Sequence, residues 1–256
     1  MNAAELLTAL SDGKRVYGTL VTSTSPLWPE AVRKTGVDFV FIDTEHIPIG
    51  RGECSLMCQV YKAMGLAPIV RIPYPDPHQA SIALDGGAVG VIAPYVETVE
   101  QAKALGAAVK MRPLKGERVR KILDGEECEQ ELAAYLARRN ADNILMLNIE
   151  SRPALDALDD ILRVPQLDAV VIGPHDLSCS LGIPEQYRHP AFDSAVRQIV
   201  RKARNAGVAV GIHYWEIDQI VQWAGEGLSV VIYSSDVRSF AESISRDLSR
   251  IKEALG

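Results

Sequence analysis

Short hydrophobic runs recur along the whole chain, and amphipathic stretches separate them. The runs are continuous rather than alternating, which is typical of parallel strands that are covered on both faces. Eight of them predict strands: Tyr17–Val21, Phe39–Ile42, Pro68–Ile72, Val89–Val96, Ile144–Ile149, Ala169–Ile172, Val208–Ile212 and Leu228–Tyr233.

The stretches between these runs carry the signals of helix starts. Asp76 and Pro77 place an N-cap before a proline at the first helical position. Thr98 and Gln101 have the spacing of a capping box. Strands and helices therefore alternate along the chain, and no proline- or serine-rich linker divides it.

This alternation predicts the fold class. Eight strand–helix units in 256 residues match the usual size of a (β/α)8 TIM barrel, so we expect residues 1–256 to form a single barrel domain. A doubly wound open sheet is the alternative, but the Gly-x-Gly-x-x-Gly sequence that often follows its first strand is absent. The longest irregular segment runs from Val109 to about Glu126, and we expect it on the catalytic face of the barrel.

A hydrophobic face marks the last predicted helix. It carries Phe240, Ile244, Leu248, Ile251 and Leu255 at helical spacing. Because exposing such a face to water is unfavourable, we expect this helix to dock on an apolar surface.

The composition excludes several classes of function. A hydrophobic fraction of 47% with 23% charged residues is ordinary for a globular protein with a substantial core. The net charge of -6 argues against a nucleic-acid partner, since such proteins need a basic face. No apolar run approaches the ~20 residues that span a bilayer. The first residues lack the pattern of a secretion signal, so we expect a cytoplasmic protein. The four cysteines have neither disulfide-framework nor zinc-finger spacing.

Polar residues follow the predicted strands, whereas the strands themselves are almost wholly apolar. In a barrel, residues just beyond the carboxyl ends of the strands converge on one pocket. The pattern therefore predicts a functional site at that end. The residues in these positions are Asp43, Glu45, His46, Arg71, Glu150, His175, Asp176, His213 and Asp236.

Two single acids, Glu150 and Asp176, follow successive strands and predict a divalent-metal site. On its own, Glu150 is as well explained as a helix-capping acid, because a carboxylate in a first turn favours the helix dipole. The pairing with Asp176 favours metal ligation. Oxygen ligands favour Mg²⁺ or Mn²⁺ over zinc.

Three further residues have both a functional and a structural interpretation. His46 is either a loop histidine with one hydrogen bond or, beside Asp43 and Glu45, a general base. Arg71 either forms a structural ion pair or binds an anionic substrate or a developing oxyanion. Asp85 precedes two glycines and, taken alone, reads as a residue that ends a helix.

Six motifs follow one another along the chain. They are Phe41–His46, Val70–Pro73, Leu84–Ala88, Ala93–Thr98, Ile149–Arg152 and Ile172–Gly182. In these motifs and their order the chain resembles, over roughly residues 16 to 240, the HpcH/HpaI aldolases, which are metal-dependent (class II) pyruvate aldolases. Several motifs in the family's order are far more specific than any single one.

The resemblance implies a TIM barrel of the phosphoenolpyruvate/pyruvate type. It also implies an enzyme that cleaves or forms a 4-hydroxy-2-oxo acid. The small-molecule partners are then an aldehyde and pyruvate or a close 2-oxo acid. It implies a divalent metal, Mg²⁺ or Mn²⁺ with Co²⁺ also compatible, and a homo-oligomer, hexameric or dimer-based, in which partners exchange the last helix. In the implied site, Glu150 and Asp176 are the metal ligands, and Arg71 lies at the enolate oxygen. His46, coupled to Asp85 and with Asp43 nearby, transfers the proton. The implied substrate contacts are Asn148, Gly173, Pro174 and His175.

Three positions depart from the family pattern. His175 stands where a small residue is usual, Asn148 where a glutamine is common, and the segment from Arg112 to Arg118 replaces a loop rich in glycine and arginine. These departures leave two alternatives open. One is a barrel that binds a small carboxylic acid without turnover, and the other is a CoA-ester lyase of the citrate-lyase type.

Overall fold

Eight parallel strands form a closed barrel in sequence order, so that β8 also pairs with β1. This computed structural model describes residues 1–256. The predicted (β/α)8 TIM barrel is thereby confirmed. The strands are β1 (Val16–Val21), β2 (Phe39–Asp43), β3 (Ala67–Arg71), β4 (Gly90–Ala93), β5 (Ile144–Ile149), β6 (Ala169–Ile172), β7 (Ala209–Tyr214) and β8 (Val230–Ser235).

Helices connect the strands and surround the barrel. None of them combines the length and the hydrophobicity that a membrane crossing requires. They are α1 (Ala3–Ser11), α2 (Trp28–Arg33), α3 (Arg51–Ala63), α4 (Pro77–Asp85), α5 (Val99–Lys110), α6 (Gly116–Leu123), α7 (Gln130–Arg139), α8 (Arg152–Asp156), α9 (Leu158–Ile161), α10 (Pro174–Ser180), α11 (Pro190–Asn205), α12 (Ile217–Glu226) and α13 (Asp236–Leu255).

The barrel interior is a packed hydrophobic core that ends in polar residues. Alternate residues of each strand point inward, as Phe39 and Phe41 of β2 do. Helix α1 closes the amino-terminal end of the barrel with Leu6 and Leu10. A Cβ at Gly18 of β1 would lie 2.5 Å from the Phe39 ring, so this ring occupies the space that a side chain would need. The opposite, carboxyl-terminal end is left open.

The segment from Val109 to Glu126 corrects two expectations from the sequence. It is largely helical, because α5 continues to Lys110 and α6 follows. It also lies at the amino-terminal end of the barrel. Lys110 donates to the carbonyl oxygen of Asn143 and to Asp168, the residues directly before β5 and β6. The physical reason is that α5 returns the chain from the carboxyl end of β4 before this segment begins.

The last helix leaves its hydrophobic face uncovered within the chain. Only Asp236 of α13 is buried. The apolar residues that predict docking are all 46% exposed or more: Phe240, Ile244, Leu248, Ile251 and Leu255. The surface on which this helix was expected to dock is therefore not supplied by its own barrel.

Candidate active site

A cavity of about 530 Å³ opens at the carboxyl-terminal end of the barrel. Its floor is hydrophobic and comes from inward-facing strand residues, including Leu20, Phe41 and Ile232. Its wall and rim carry polar groups from the residues that follow the strands. They are Asp43, His46, Arg71, Asn148, His175, Asp176 and His213. Most of the residues singled out from the sequence therefore share one cavity.

Asp43 and Arg71 form a nearly buried ion pair at the ends of β2 and β3. Arg71 Nε donates to Asp43 Oδ1 at 2.9 Å, and a terminal guanidinium nitrogen donates to Oδ2 at 2.6 Å. Although burial opposes ionisation, the hydrogen bonds and charge of Arg71 hold the pKa of Asp43 below its usual value. The guanidinium is thus fixed in one orientation at the cavity wall.

The loop after β2 brings Glu45 and His46 beside this pair. The Glu45 carboxylate lies 3.2 Å from Arg71 Nε and 3.6 Å from His46 Nε2. Asp43 Oδ1 accepts the backbone N–H of Glu45, which holds the start of the loop against the barrel. Burial raises the pKa of Glu45. His46 is exposed at the rim, with a carboxylate next to its imidazole.

Glu150 is a buried carboxylate just beyond β5. It is 1% exposed. Its Oε1 accepts the backbone N–H of Tyr95 at 2.6 Å, and its Oε2 accepts the Asn148 side-chain amide at 2.9 Å. Burial raises its pKa to about 7, and the charges of Asp176 and Glu45 act in the same direction. A proton or a cation is therefore needed to balance this group at neutral pH.

The backbone around Glu150 is shaped to hold its carboxylate. Tyr95 has a φ of 49°, a left-handed conformation that is uncommon outside glycine. This conformation belongs to the residue whose N–H meets Glu150 Oε1. A Cβ at Gly173 would lie 1.9 Å from Glu150 Oε2, so only glycine leaves room for the carboxylate here. Asn148 Oδ1 is buried and has no hydrogen-bond partner.

Asp176 and His175 come from the first turn of α10, which begins at Pro174 after the end of β6. Both side chains line the cavity. The His175 imidazole is 60% exposed, with Nδ1 3.8 Å from Glu185 Oε1 and Nε2 3.9 Å from Cys179 Sγ. The backbone N–H groups of His175 and Asp176 lie in the first turn, where a helix offers them no internal partner.

Asp176, which lines the cavity, and Glu150, which accepts a hydrogen bond from the lining residue Asn148, are the residues that could hold a metal ion. The negative charges of Asp176 and Glu45 both raise the pKa of Glu150. No set of three or more histidine, cysteine, aspartate or glutamate side chains in the chain has metal-ligand geometry. A cation here would therefore take two protein carboxylates and complete its shell with substrate or water oxygens, as Mg²⁺ commonly does.

His213 is a cavity residue to which the sequence assigned no role. Its Nε2 lies 2.9 Å from the carbonyl oxygen of Ser234, and its ring packs edge-on against Phe41 at 5.5 Å. Burial lowers its pKa, which favours the neutral imidazole. Its position at the end of the seventh strand was the signal, but nothing in the sequence indicated this carbonyl partner.

Trp215 forms an aromatic part of the cavity wall. Its indole stacks on Tyr214, with ring centroids 4.8 Å apart, and meets Tyr187 edge-on. The guanidinium of Arg238 lies 4.9 Å from the indole centroid. The wall on this side is therefore held by groups from β7, α13 and the loop before α11.

Four of the sequence candidates do not line the cavity. Glu45 and Glu150 contact the lining residues Arg71 and Asn148, whereas Asp85 and Asp236 have other partners. Asp85 ends α4, and its exposed carboxylate pairs with Arg112, so the chain does not bring it to His46. The coupling of His46 to Asp85 is therefore not formed within one chain, where Glu45 is the acid beside the imidazole. Asp236 instead accepts the backbone N–H groups of Thr22 and Ser23, which ties β8 to the loop after β1.

A family model matches most of the chain. The model described as HpcH/HpaI aldolase/citrate lyase aligns with residues 17–243. This span contains every strand except the first residue of β1, and every cavity residue named above.

Individual proteins are similar over nearly the whole length. The 2-keto-3-deoxy-L-rhamnonate aldolase of Klebsiella pneumoniae is 29% identical, and the alignment covers 94% of this chain and 90% of the relative. The crystal structure of an HpcH/HpaI aldolase from Desulfitobacterium hafniense has a TM-score of 0.84 at 29% identity and covers 97% of this chain and 96% of that one. The crystal structure of citrate synthase SbnG has a TM-score of 0.84 at 29% identity, with 97% and 98% covered.

Proposed function

The chain belongs to the HpcH/HpaI aldolase/citrate lyase family, and from this premise we propose that it is a metal-dependent aldolase that acts on a 4-hydroxy-2-oxo acid. The products of cleavage are pyruvate, or a close 2-oxo acid, and an aldehyde. The enzyme is of the aldolase and lyase kind, as its relatives are named. The metal and the chemistry of the two products are the parts that we propose.

One observation carries the proposal, namely the buried carboxylate of Glu150 beside Asp176 with no cationic side chain bonded to it. Burying an uncompensated carboxylate is costly, so such a group takes up a proton or binds a cation. The raised pKa of about 7 expresses the same imbalance. Mg²⁺ or Mn²⁺, or in their place Co²⁺, balances the charge.

The residues present fit such a cation. Glu150 and Asp176 supply hard oxygen donors, and the absence of a side chain at Gly173 leaves space for the Glu150 carboxylate. Asn148 Oδ1 is a buried acceptor without a donor in the protein, so it can accept a hydrogen bond from substrate or water. When bound, the divalent ion supplies a Lewis acid that polarises the 2-oxo group of the substrate.

The remaining residues act on the charge and the proton. Cleavage breaks the bond between C3 and C4, and its electron pair stays on the three-carbon fragment as the pyruvate enolate. Arg71, held by Asp43, stabilises the negative charge on the enolate oxygen. The N–H groups of His175 and Asp176 meet the substrate carboxylate at the start of α10.

The proton of the 4-hydroxyl group must leave as the aldehyde forms, and a proton must return to C3 to make the methyl group of pyruvate. His46 is the group we assign to this transfer. Its imidazole lines the cavity, and the Glu45 carboxylate lies 3.6 Å from its Nε2, where it orients the ring. An exposed rim position also lets His46 exchange protons with solvent.

The proposed assembly is a homo-oligomer in which α13 docks on a second copy. Two observations support it. The helix offers the exposed residues Phe240 and Ile244, and the outer face of β1 and β8 is only partly covered. Tyr17 and Tyr233 point outward from these strands and are 48% and 38% exposed. We propose that α13 of a second copy covers this strip with its apolar residues.

The first experiment is hydrogen exchange of pyruvate in D₂O, followed by NMR of the methyl protons with Mg²⁺, Mn²⁺ or EDTA. We expect metal-dependent loss of the methyl signal, because enolate formation needs no aldehyde. Glu150→Ala and Asp176→Ala should each abolish it. Glu117→Ala, which removes an exposed carboxylate of α6, should leave it unchanged. Unchanged exchange in Glu150→Ala or Asp176→Ala would exclude the metal-dependent mechanism.

The exchange experiment and a second turnover assay separate the two alternatives. A folded protein that binds metal and pyruvate without exchange would support a barrel that binds a small acid without turnover. Metal-dependent turnover of acetyl-CoA with oxaloacetate but not of aldehydes would support a CoA-ester lyase of the citrate-lyase type. For the assembly, Ile244→Glu should reduce the mass measured by sedimentation velocity, whereas Arg246→Gln should not.

A further inference from the structure

The wall of the cavity is joined directly to the last helix. Trp215 lines the cavity, and the guanidinium of Arg238 lies 4.9 Å from its indole centroid. Arg238 stands in the first turn of α13, where its N–H is bound by the side chain of Ser235. Its Nε donates to Glu242 Oε1 at 2.6 Å, so the guanidinium is held between the Glu242 carboxylate and the indole. A cation at this distance from an indole attracts the ring.

A second contact joins the start of α13 to the loop after β1, on the other side of β8 from Trp215. Asp236 accepts the backbone N–H groups of Thr22 and Ser23, and the hydroxyl of Thr22 at 2.9 Å. These residues directly follow β1, whose Leu20 lies in the cavity floor. The first turn of α13 therefore contacts both the indole in the cavity wall and the loop that follows β1.

The same helix carries the face that is uncovered in the single chain. Phe240 and Ile244 lie one and two turns beyond the first turn, and both are exposed. Helix α13 is one continuous helix of 20 residues, so this face and the first turn belong to the same element. Docking on a second copy would fix the direction of the helix and, with it, the position of Arg238.

We propose that Arg238 is a positioning residue that couples docking of α13 on a second copy to the shape of the cavity at Trp215. The inference rests on the proposed function and its assembly. Arg238 does not line the cavity, so it acts on the substrates only through the indole. Trp215 follows β7, across the barrel from β3, so its indole lies away from Arg71, the group that we assign to the enolate oxygen. We therefore assign the indole to the space for the aldehyde.

The competing explanation is that Arg238 only forms an exposed ion pair with Glu242, which would be worth little. In that case its loss would change neither the indole environment nor the kinetics. The two explanations differ in a spectroscopic property that does not depend on turnover. Trp28 and Trp223 are the other two tryptophans, and the emission of Trp215 is obtained by subtracting the spectrum of Trp215→Phe.

The test uses the full-length protein with Arg238→Gln, Arg238→Lys, the docking variant Ile244→Glu and the control Arg246→Gln. Arg246 lies on the same helix and pairs only with Asp247 and Ser243. Sedimentation velocity gives the assembly, fluorescence gives the Trp215 environment, and synthesis from pyruvate with glycolaldehyde as probe gives kcat and KM. Pyruvate exchange in D₂O is measured for every variant.

We expect Arg238→Gln to keep the assembly and the pyruvate exchange and to shift the Trp215 emission. It should also raise the KM for glycolaldehyde about fivefold with little change in kcat. A change in KM of about fivefold is the size expected for the loss of a half-exposed cation–π contact. Arg238→Lys should restore most of the loss, because it keeps the cation. Ile244→Glu should dissociate the assembly and produce the same shift in emission, whereas Arg246→Gln should resemble the wild type.

Unchanged Trp215 emission in Arg238→Gln would overturn the role of Arg238, and unchanged emission in dissociated Ile244→Glu would overturn the coupling. Both readings hold even if glycolaldehyde is not turned over. Failure of the proposed function has a different signature, since wild-type protein would then show no metal-dependent exchange of pyruvate.

Discussion

Arg71 and Asp43 meet through two parallel hydrogen bonds at the ends of neighbouring strands, 2.9 Å and 2.6 Å long. The register of β2 and β3 places these two residues directly opposite each other. Asp43 is 1% exposed, so its charge is balanced by the guanidinium and not by water. The pair therefore has two consequences: it neutralises a buried acid, and it fixes the cation that faces the cavity.

Asp43→Asn should lower the free energy of unfolding by about 3–5 kcal/mol, since it leaves a buried guanidinium without its main partner. The matched control is Glu45→Gln, whose carboxylate makes one longer contact with Arg71 Nε. We expect the control to cost about 1 kcal/mol or less. Urea denaturation of the metal-free proteins measures both. Equal losses in the two variants would show that Asp43 is not the main partner of Arg71.

Hydrophobic continuity was enough to predict the barrel. A strand covered on both faces needs apolar residues in both, and β5 has the predicted bounds Ile144–Ile149. The fourth strand was predicted too long, because it ends at Ala93, before Pro94, which cannot donate a ladder hydrogen bond. Helix α6 was missed because it buries no residue and so leaves no hydrophobic signal of core contact.

The site was predictable where topology decides it. Closing the barrel brings the strand ends together, so Asp43, Arg71 and Asp176 share one cavity. Features that depend on tertiary contacts were not predictable. The Tyr95 N–H that binds Glu150 comes from 55 residues away, in a backbone conformation that no motif specifies. Asp85 was expected beside His46, but the path of α4 carries it to Arg112.

The metal-free protein should become less stable as the pH rises toward 7. Glu150 has an ordinary pKa of 4.5 when unfolded and about 7 when folded, so between these values the folded state binds the extra proton. Stability from this group is complete below about pH 4.5 and is lost as the pH rises through 7. The shift corresponds to a loss on the order of 3 kcal/mol. Urea denaturation in EDTA from pH 5 to 8 measures it.

Glu150→Gln is the control for this pH dependence, because the amide keeps the shape of the side chain and does not titrate. The difference between wild type and variant should therefore vary with pH in EDTA. Mn²⁺ should stabilise the wild type more at pH 8 than at pH 5, since the cation competes with the proton for the carboxylate. A wild-type-minus-variant difference that is constant with pH would refute the buried titration of Glu150.

Gly173→Ala should weaken metal binding while the barrel still folds. Its Cβ would fall 1.9 Å from Glu150 Oε2, so the carboxylate must move away from its present position. Displacing a ligand in this way typically costs about 10- to 100-fold in metal affinity. Calorimetric titration with Mn²⁺ measures the affinity, and circular dichroism checks the fold.

Gly52→Ala is the matched control for this substitution. Gly52 lies in α3, and a Cβ there would meet no atom within 4 Å. Alanine in a helix is favourable by roughly 0.5–1 kcal/mol over glycine, so the control should be slightly more stable and bind Mn²⁺ normally. If Gly173→Ala also bound Mn²⁺ normally, Glu150 would not be the ligand that we propose.

His175→Ala should change the choice of aldehyde more than the binding of pyruvate. The imidazole lies on the rim, 60% exposed, and its nearest polar groups, on Glu185 and Cys179, are 3.8 and 3.9 Å away. It is therefore free to contact a substrate, and removing it takes a polar group from the outer part of the cavity. We expect the ratio of kcat/KM for glycolaldehyde to that for propanal to change about tenfold. The KM for pyruvate should stay within about twofold of wild type, because the groups that bind pyruvate remain.

The control is His78→Ala, which removes an exposed histidine outside this cavity and should leave both the aldehyde ratio and the KM for pyruvate unchanged. Equal effects of His175→Ala on the aldehyde ratio and on pyruvate would place the imidazole at the 2-oxo acid instead.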